Sequence, residues 1–184
     1  MAVVRRKHIH DLVERTLANN GIRSAPVPVD QIAKKIGADI HYEPADDDLS
    51  GFLFRDRGQR RIIIGVNSNH HPNRQRFTVA HEIGHFLLHE YEGFHFDGKD
   101  QGFQVKRRDD KSSKGTDTEE IEANLFASEL LMPARFLEVD LSKVSAVDLL
   151  DENNLDSFTE LATRYAVSTQ ALTFRLAKLG YVQL

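Results

Sequence analysis

The sequence contains no cysteine among its 184 residues. This absence excludes disulfide bonds, thiolate catalysis and zinc sites built from cysteine. Long apolar runs are missing as well: the basic N-terminal residues precede no apolar core of signal-peptide length, and stretches such as residues 62–64 are only strand-sized. We therefore expect a cytoplasmic protein that makes no contact with a membrane.

An excess of positive charge is also missing. The 24 lysines and arginines and the 28 aspartates and glutamates give a formal net charge of −4. This balance argues against a general binder of nucleic acid or anionic membranes, although a local basic patch stays compatible with it. The hydrophobic fraction of 40% and the charged fraction of 28% are ordinary for a globular chain. The length suffices for one domain with a substantial core.

The first 66 residues alternate between helical and strand patterns. Hydrophobic spacing, proline and glycine delimit the elements. The predicted elements are an amphipathic helix near residues 2–20, a short helix capped by Asp30 and ended by Gly37, a strand over 39–43, and a hairpin with strands at 52–54 and 61–66.

The rest of the chain is predicted to be mainly helical. One helix follows Pro72, and a second runs from about Thr118 to Met132. Residues 91–116 between them lack a period and contain several glycines, so we expect a long loop. Our hypothesis is that residues 92–117 form a mobile lid. Residues 134–184 show a looser helical pattern.

His81 to His85 form an H-E-x-x-H motif inside the first of these helices. A spacing of four places both imidazoles on one helical face, one turn apart, where they can bind the same metal ion. Neutral imidazole suits zinc, which at catalytic sites takes three protein ligands and keeps one position open. Glu82 lies off that line but can reach a metal-bound water. A chance match is the alternative, and the helical context argues against it.

A third ligand must come from another element. The second helix opens with three glutamates, of which only Glu120 has a suitable partner one turn later, namely Asn124. A carboxylate ligand followed by an amide could orient a histidine ligand from behind. Glu119 and Glu122 are followed at that spacing by Ala123 and Phe126, so the pattern selects Glu120. The alternative is that these acids only complement the dipole at the helix N-terminus.

These motifs together resemble the ImmA/IrrE family of zinc metallopeptidases. The resemblance rests on residues 74–89 (RQRFTVAHEIGHFLLH) and 120–133 (EIEANLFASELLMP). It is specific over about residues 49–133 and weaker outside them. It implies an α+β fold with a thermolysin-like (zincin) core, in which helices pack on a small sheet.

The resemblance also implies the roles of the site residues. His81, His85 and Glu120 would bind Zn²⁺, and Glu82 would be the catalytic carboxylate. It further implies a bacterial or phage origin and a protein substrate, commonly a helix-turn-helix repressor or an antitoxin-like regulator. We therefore predict a metalloendopeptidase domain over residues 1–133, followed by a helical C-terminal region over 134–184.

Several further residues have no settled role at this point. Arg76, Tyr91 and His95 are candidates for stabilising the oxyanion, although each is more typical of a structural or exposed position. His89 extends the histidine series by another turn, and we interpret it as a polar residue at a helix end.

Residues 158–176 resemble a helix-turn-helix, with Ala162 at the helix crossing, Val167 in the turn and Ser168 as the cap of the second helix. DNA binding would follow, but residues 157–184 contain only three basic side chains and one acidic one. We favour a structural or substrate-docking role. The alternative function for the whole chain is a non-hydrolytic, metal-containing regulator that binds protein or DNA through this segment.

Overall fold

The computed structural model describes residues 3–90, 93–98, 113–142 and 155–182. Their helices are α1 (Arg6–Asn19), α2 (Val29–Lys35), α3 (Pro72–Leu88), α4 (Ser113–Leu131), α5 (Ala134–Leu141), α6 (Leu155–Tyr165) and α7 (Thr169–Lys178). The strands are β1 (Ala38–Glu43), β2 (Leu49–Asp56), β3 (Arg61–Asn67) and β4 (Gly93–Gly98). The predicted α+β class, with helices and a small sheet, is confirmed.

The four strands form one mixed sheet in the order β1-β3-β2-β4. β2 and β3 are the predicted antiparallel hairpin, β1 runs parallel to β3, and β4 runs antiparallel to β2 at the sheet edge. Leu53 in β2 pairs with Ile64 on one side and with His95 on the other. All three side chains are buried, so this row faces the interior.

Three predictions about local structure are wrong. The expected loop over 91–116 contains the strand β4, and α4 begins at Ser113 rather than near Thr118. Residues 99–112, the greater part of the expected lid, lie outside the described residues. Asp30 does not cap α2, because the helix starts after Pro28 and Asp30 lies in its first turn, where it accepts a hydrogen bond from Tyr42.

Helices α3 and α4 pack directly against each other, and Gly84 lies at their contact. A Cβ at this position would lie 3.1 Å from Cδ1 of Phe126 and 3.2 Å from Cα of Ala123. Such distances are shorter than ordinary van der Waals contact. The glycine inside the H-E-x-x-H motif therefore allows α4 to come close to the two histidines.

The C-terminal helices α6 and α7 are joined by the tight turn that the sequence predicts. Ser168 caps α7 by accepting a hydrogen bond from the backbone N–H of Ala171, as predicted. Ala162 and Val167 are buried, and they belong to the same hydrophobic core as the residues of α1, α3 and α4. The division of the chain between residues 133 and 134 stays a prediction.

In the part of the chain that the structure describes, no helix combines the length and the apolar character that crossing a membrane requires.

Candidate metal centre

The two histidines of α3 lie side by side inside the protein. His81 is 1% exposed and His85 is 0% exposed, and their Nε2 atoms are 2.9 Å apart. Glu82, between them in sequence, is fully buried as well. The i, i+4 spacing thus produces the shared face that the sequence predicts.

Helix α4 brings Glu120 to this pair. Its Oε2 lies 3.3 Å from His81 Nε2, and its Oε1 lies 3.2 Å from His85 Nε2. One ligand atom from each of the three residues falls within 4.8 Å of the others. The structure therefore brings together the three residues that we predict as metal ligands, while their roles stay predictions.

Asn124 contacts the back of the first histidine. The Nδ1–H of His81 donates to Oδ1 of Asn124 at 3.2 Å, so the predicted contact between this amide and a histidine is confirmed. Because a carbonyl oxygen can only accept, Nδ1 carries the proton and Nε2 presents its lone pair to the site. Asn124 thereby orients His81 so that its Nε2 faces His85 and Glu120.

The neighbouring Glu122 serves another purpose. It is buried and forms an ion pair with Arg5, with 2.5 Å between Nη2 and Oε2. His89, at the end of α3, lies with its Nε2 4.0 Å from the same carboxylate oxygen. Hydrogen bonding to Arg5 keeps the pKa of Glu122 below its usual value. Of the three glutamates at the start of the predicted helix, Glu120 is the one that lies among the donors.

The sequence reasoning gave too little weight to His95. This residue of β4 is 7% exposed, and its Nε2 lies 3.2 Å from His85 Nε2 and 2.9 Å from Glu120 Oε1. Arg76, by contrast, is used elsewhere: it donates to the backbone oxygens of Val27 and Ala166. Tyr91, the third oxyanion candidate, lies outside the described residues.

Burial sets the protonation states of the site. Desolvation, together with the nearby histidines, lowers the pKa of His85 to about 3 against the opposing effect of Glu120. Burial alone would raise the pKa of Glu120, but hydrogen bonds with the surrounding histidines hold it well below its usual range. At neutral pH the site therefore offers a neutral His85 imidazole and an ionised Glu120 carboxylate, which are the forms that bind metal ions.

The donor set fits a divalent cation. A neutral imidazole nitrogen offers either one proton or one lone pair, yet His85 Nε2 faces polar atoms of three side chains, those of His81, Glu120 and His95, within 3.2 Å. Hydrogen bonds alone cannot serve all of these contacts, whereas a cation among the donors can. Imidazole nitrogens with a carboxylate oxygen suit zinc and also accept other first-row metals.

The fold and this donor set define an α+β protein in which His81, His85 and Glu120 of two helices form a group that could hold a divalent metal ion. The family described as the IrrE N-terminal-like domain, a peptidase family, matches residues 33–177. The chain belongs to this ImmA/IrrE family of metallopeptidases, and the family implies a divalent metal.

Curated relatives agree with this assignment. Metallopeptidase ImmA of Bacillus subtilis is 26% identical over 131 residues, which are 71% of this chain and 64% of the relative. Radiation response metalloprotease IrrE of Deinococcus deserti is 30% identical over 116 residues, 63% of this chain and 36% of the relative. Uncharacterized immunity region protein 2 of Bacillus phage phi105 is 33% identical over 94 residues, 51% and 48% of the two chains. The chain thus spans less than two thirds of the length of each relative.

A solved structure shares the fold. The Mycobacterium tuberculosis transcriptional regulator superposes with a TM-score of 0.58 at 16% identity, covering 93% of this chain and 46% of that one. At this identity the likeness concerns the architecture alone.

Proposed function

We propose that this protein is a zinc-dependent endopeptidase of the cytoplasm that cleaves a regulatory protein, namely a helix-turn-helix repressor or an antitoxin-like regulator. The observation that carries the proposal is the group formed by buried His81 and His85 with partly buried Glu120, together with Glu82 on the helix of the two histidines. Two relatives named as metallopeptidases and one phage protein named for an immunity region support the class of activity and of substrate.

The roles follow from the donor atoms. His81, His85 and Glu120 hold the zinc within a thermolysin-like core, and Asn124 keeps His81 in the correct tautomer. When bound, zinc would supply a Lewis acid that polarises a peptide carbonyl and makes a water molecule more acidic. Glu82 would act as the general base towards a water molecule and would later protonate the leaving amine.

The presence of Glu82 favours an enzyme over a structural metal site. Glu82 is 0% exposed and lies on α3 directly after His81, between the two histidines in sequence. A site that only holds the fold together needs no acid beside its ligands. We therefore assign Glu82 to proton transfer.

The first test concerns the metal. Elemental mass spectrometry of the purified chain should find about one zinc per molecule, and the His81→Ala variant should lack it. If the chain binds no metal at neutral pH with zinc supplied, the proposal fails.

The second test concerns catalysis. Wild type and Glu82→Gln are incubated with a proteome-derived peptide library, and new termini are identified by mass spectrometry. Since a general base contributes about 10²–10⁴-fold, we expect the variant to lose cleavage by that factor and to keep its zinc. Glu138→Gln, at an exposed position of α5, is the matched control and should cleave as wild type does. Equal cleavage by Glu82→Gln would exclude this role.

The substrate class needs a test in cells. We would label protein N-termini in cells that produce wild type or Glu82→Gln and compare the two sets. New termini within helix-turn-helix regulators, seen only with the wild type, would support the proposal. New termini confined to unrelated proteins would contradict the substrate class.

The DNA-binding alternative receives less support from the side chains of α6 and α7. Arg175 is 3% exposed and donates to the backbone oxygen of Met132 at 3.1 Å, so it does not reach a phosphate. Arg164 forms an ion pair with Asp140 at 3.0 Å. A salt titration of binding to duplex DNA tests this alternative, because each phosphate contact adds about 0.9 to the slope of the logarithmic plot. We expect no specific complex.

A further inference from the structure

We infer that His95 supplies a fourth protein ligand to the metal ion held by His81, His85 and Glu120, so that the centre is closed in its resting state. The inference rests on the proposed function, and it adds a form of regulation to it. A metal ion with four protein ligands can act on a substrate only while one of them is displaced, so cleavage by the wild type would require His95 to leave the ion for part of the time.

The contacts of His95 resemble those of the other donors. Its Nε2 lies 3.2 Å from His85 Nε2 and 2.9 Å from Glu120 Oε1. The separations among the other three residues run from 2.9 to 3.3 Å. Ligands at zinc's usual bond length of about 2.0–2.1 Å sit about 3.3–3.4 Å apart in a tetrahedron. The nitrogen of His95 is therefore as close to His85 and Glu120 as a fellow ligand would be, whereas the group of donors that all lie within 4.8 Å of one another comprises His81, His85 and Glu120.

The backbone of β4 aims His95 at the site. In the antiparallel register with β2, His95 pairs with Leu53, whose side chain is 1% exposed, so this position faces the interior. The preceding residue, Phe94, points to the other face, where its ring centroid lies 4.5 Å from that of Phe54 and 5.7 Å from that of Phe52. These ring contacts and the alternation of the strand fix the direction of His95.

A weaker role would be to orient Glu120 by a hydrogen bond alone. That role leaves unexplained why His95 Nε2 also lies within 3.2 Å of His85 Nε2, an atom already near His81 and Glu120. A neutral imidazole nitrogen cannot serve three partners with one proton or one lone pair. A shared cation accounts for all of these contacts together.

The position of β4 in the sheet would allow the metal centre to open by release of His95. Among the strands that the structure describes, β4 lies at the end of the sheet next to β2, and β1, β3 and β2 pair independently of it. Its departure would remove His95 while α3 and α4 keep the other three ligands. Structural zinc sites have four protein ligands and catalytic ones keep an open position, so this movement would convert one kind of site into the other.

X-ray absorption at the zinc edge tests the inference directly, because it counts imidazole ligands. We expect three imidazoles in the wild type and two in His95→Gln, since glutamine can still donate to Glu120 but is a poor zinc ligand. The matched control is His70→Gln, a histidine that is 8% exposed and bonded to the backbone oxygen of Asp47. It should keep three imidazoles.

Zinc affinity, measured by competition with a chelator, gives a second readout. The loss of a partner behind a ligand lowers metal affinity by about 10–100-fold, so the loss of a ligand should lower it by about 100-fold or more. His95→Glu, with a carboxylate of similar reach, should recover most of the affinity, and circular dichroism verifies that each variant is folded.

The outcomes separate the two proposals. Zinc bound by two imidazoles in the wild type, or unchanged affinity in folded His95→Gln, overturns the role of His95 and leaves the peptidase proposal intact. Failure of the wild type to bind zinc at all overturns both. Three imidazoles in the wild type and two in His95→Gln establish the closed centre.

Discussion

Two helix pairs stand out in the sequence, and they bury polar groups in different ways. In α3 and α4, the side chains of His81, His85 and Glu120 converge on one point. In α6 and α7, the buried polar residues Tyr165 and Arg175 form hydrogen bonds with different partners. The Tyr165 hydroxyl donates to Asp140 at 3.0 Å, and Arg175 donates to a backbone oxygen.

This difference distinguishes a binding site from a structural contact. Buried polar groups are stable when each donor finds an acceptor, as Tyr165 and Arg175 do. In the first pair, His85 Nε2 instead lies within 3.2 Å of polar atoms of His81, Glu120 and His95, and a shared cation would satisfy these contacts together. The following four predictions test this distinction, beginning with the largest effect.

Zinc should strongly stabilise the protein through the pair formed by α3 and α4. With free zinc at a thousand times its dissociation constant, the free energy of unfolding should rise by about 4 kcal/mol, since the ion binds the folded state. The variant His85→Leu should show no such rise. Urea unfolding with zinc and with a chelator measures both values. An equal rise in His85→Leu would place the zinc elsewhere.

The pair formed by α6 and α7 should lose stability when the buried charge of Arg175 is removed. Arg175→Ala removes the hydrogen bond to Met132 and the contact with Glu129 at 3.4 Å, so we expect a loss of about 3 kcal/mol in unfolding free energy. The rise in unfolding free energy that zinc produces should be the same in Arg175→Ala as in the wild type.

An exposed arginine provides the comparison for this variant. Arg135 pairs with Glu14 at 2.9 Å, with 44% and 35% of the side chains exposed, and its replacement by alanine should change stability by at most about 1 kcal/mol. If Arg175→Ala abolished zinc binding, the two helix pairs would not be independent.

Much of this organisation could be predicted from the sequence because it is local. Spacing of four along α3 places His81 and His85 on one helical face, and the same spacing along α4 places Glu120 and Asn124 on one face. The cap at Ser168 follows from the residue type at a helix start. Each of these inferences needs only the geometry of one helix.

The role of His95 could not be predicted because it depends on a pairing between distant segments. Residues 93–98 (GFHFDG) alternate aromatic and polar residues between two glycines, which is a strand signal that the loop interpretation passed over. Even with that strand recognised, its pairing with β2 decides that His95 reaches α3. Register is a tertiary property, and a single sequence does not specify it.

The close approach of α3 and α4 should depend on Gly84. Gly84→Val places a side chain against Phe126 and the backbone of Ala123, so we expect a loss of about 2 kcal/mol in stability and weaker zinc binding, because Glu120 moves away from the histidines. Gly84→Ala should have a smaller effect, because the better helix propensity of alanine offsets part of the crowding. Chemical denaturation and chelator competition measure the two quantities. Wild-type zinc affinity in folded Gly84→Val would show that Gly84 does not position the site.

The smallest effect concerns Tyr165, and it depends on pH. Burial, and then its hydrogen bond to Asp140, raise the pKa of the Tyr165 hydroxyl in the folded protein. The neutral phenol therefore contributes stability that is complete below its usual pKa of about 10 and is lost as the pH rises above it.

Tyr165→Phe should reduce the unfolding free energy by about 1 kcal/mol at neutral pH, because one buried hydrogen bond is lost. Above about pH 10 the difference should shrink, since only the wild type then loses stability through this group. Urea unfolding of the metal-free proteins across this range measures it. Tyr181→Phe, at a residue that is 44% exposed, serves as the control and should follow the wild type. A constant difference between wild type and Tyr165→Phe at all pH values would show that the Tyr165 hydroxyl does not titrate differently in the folded and unfolded states.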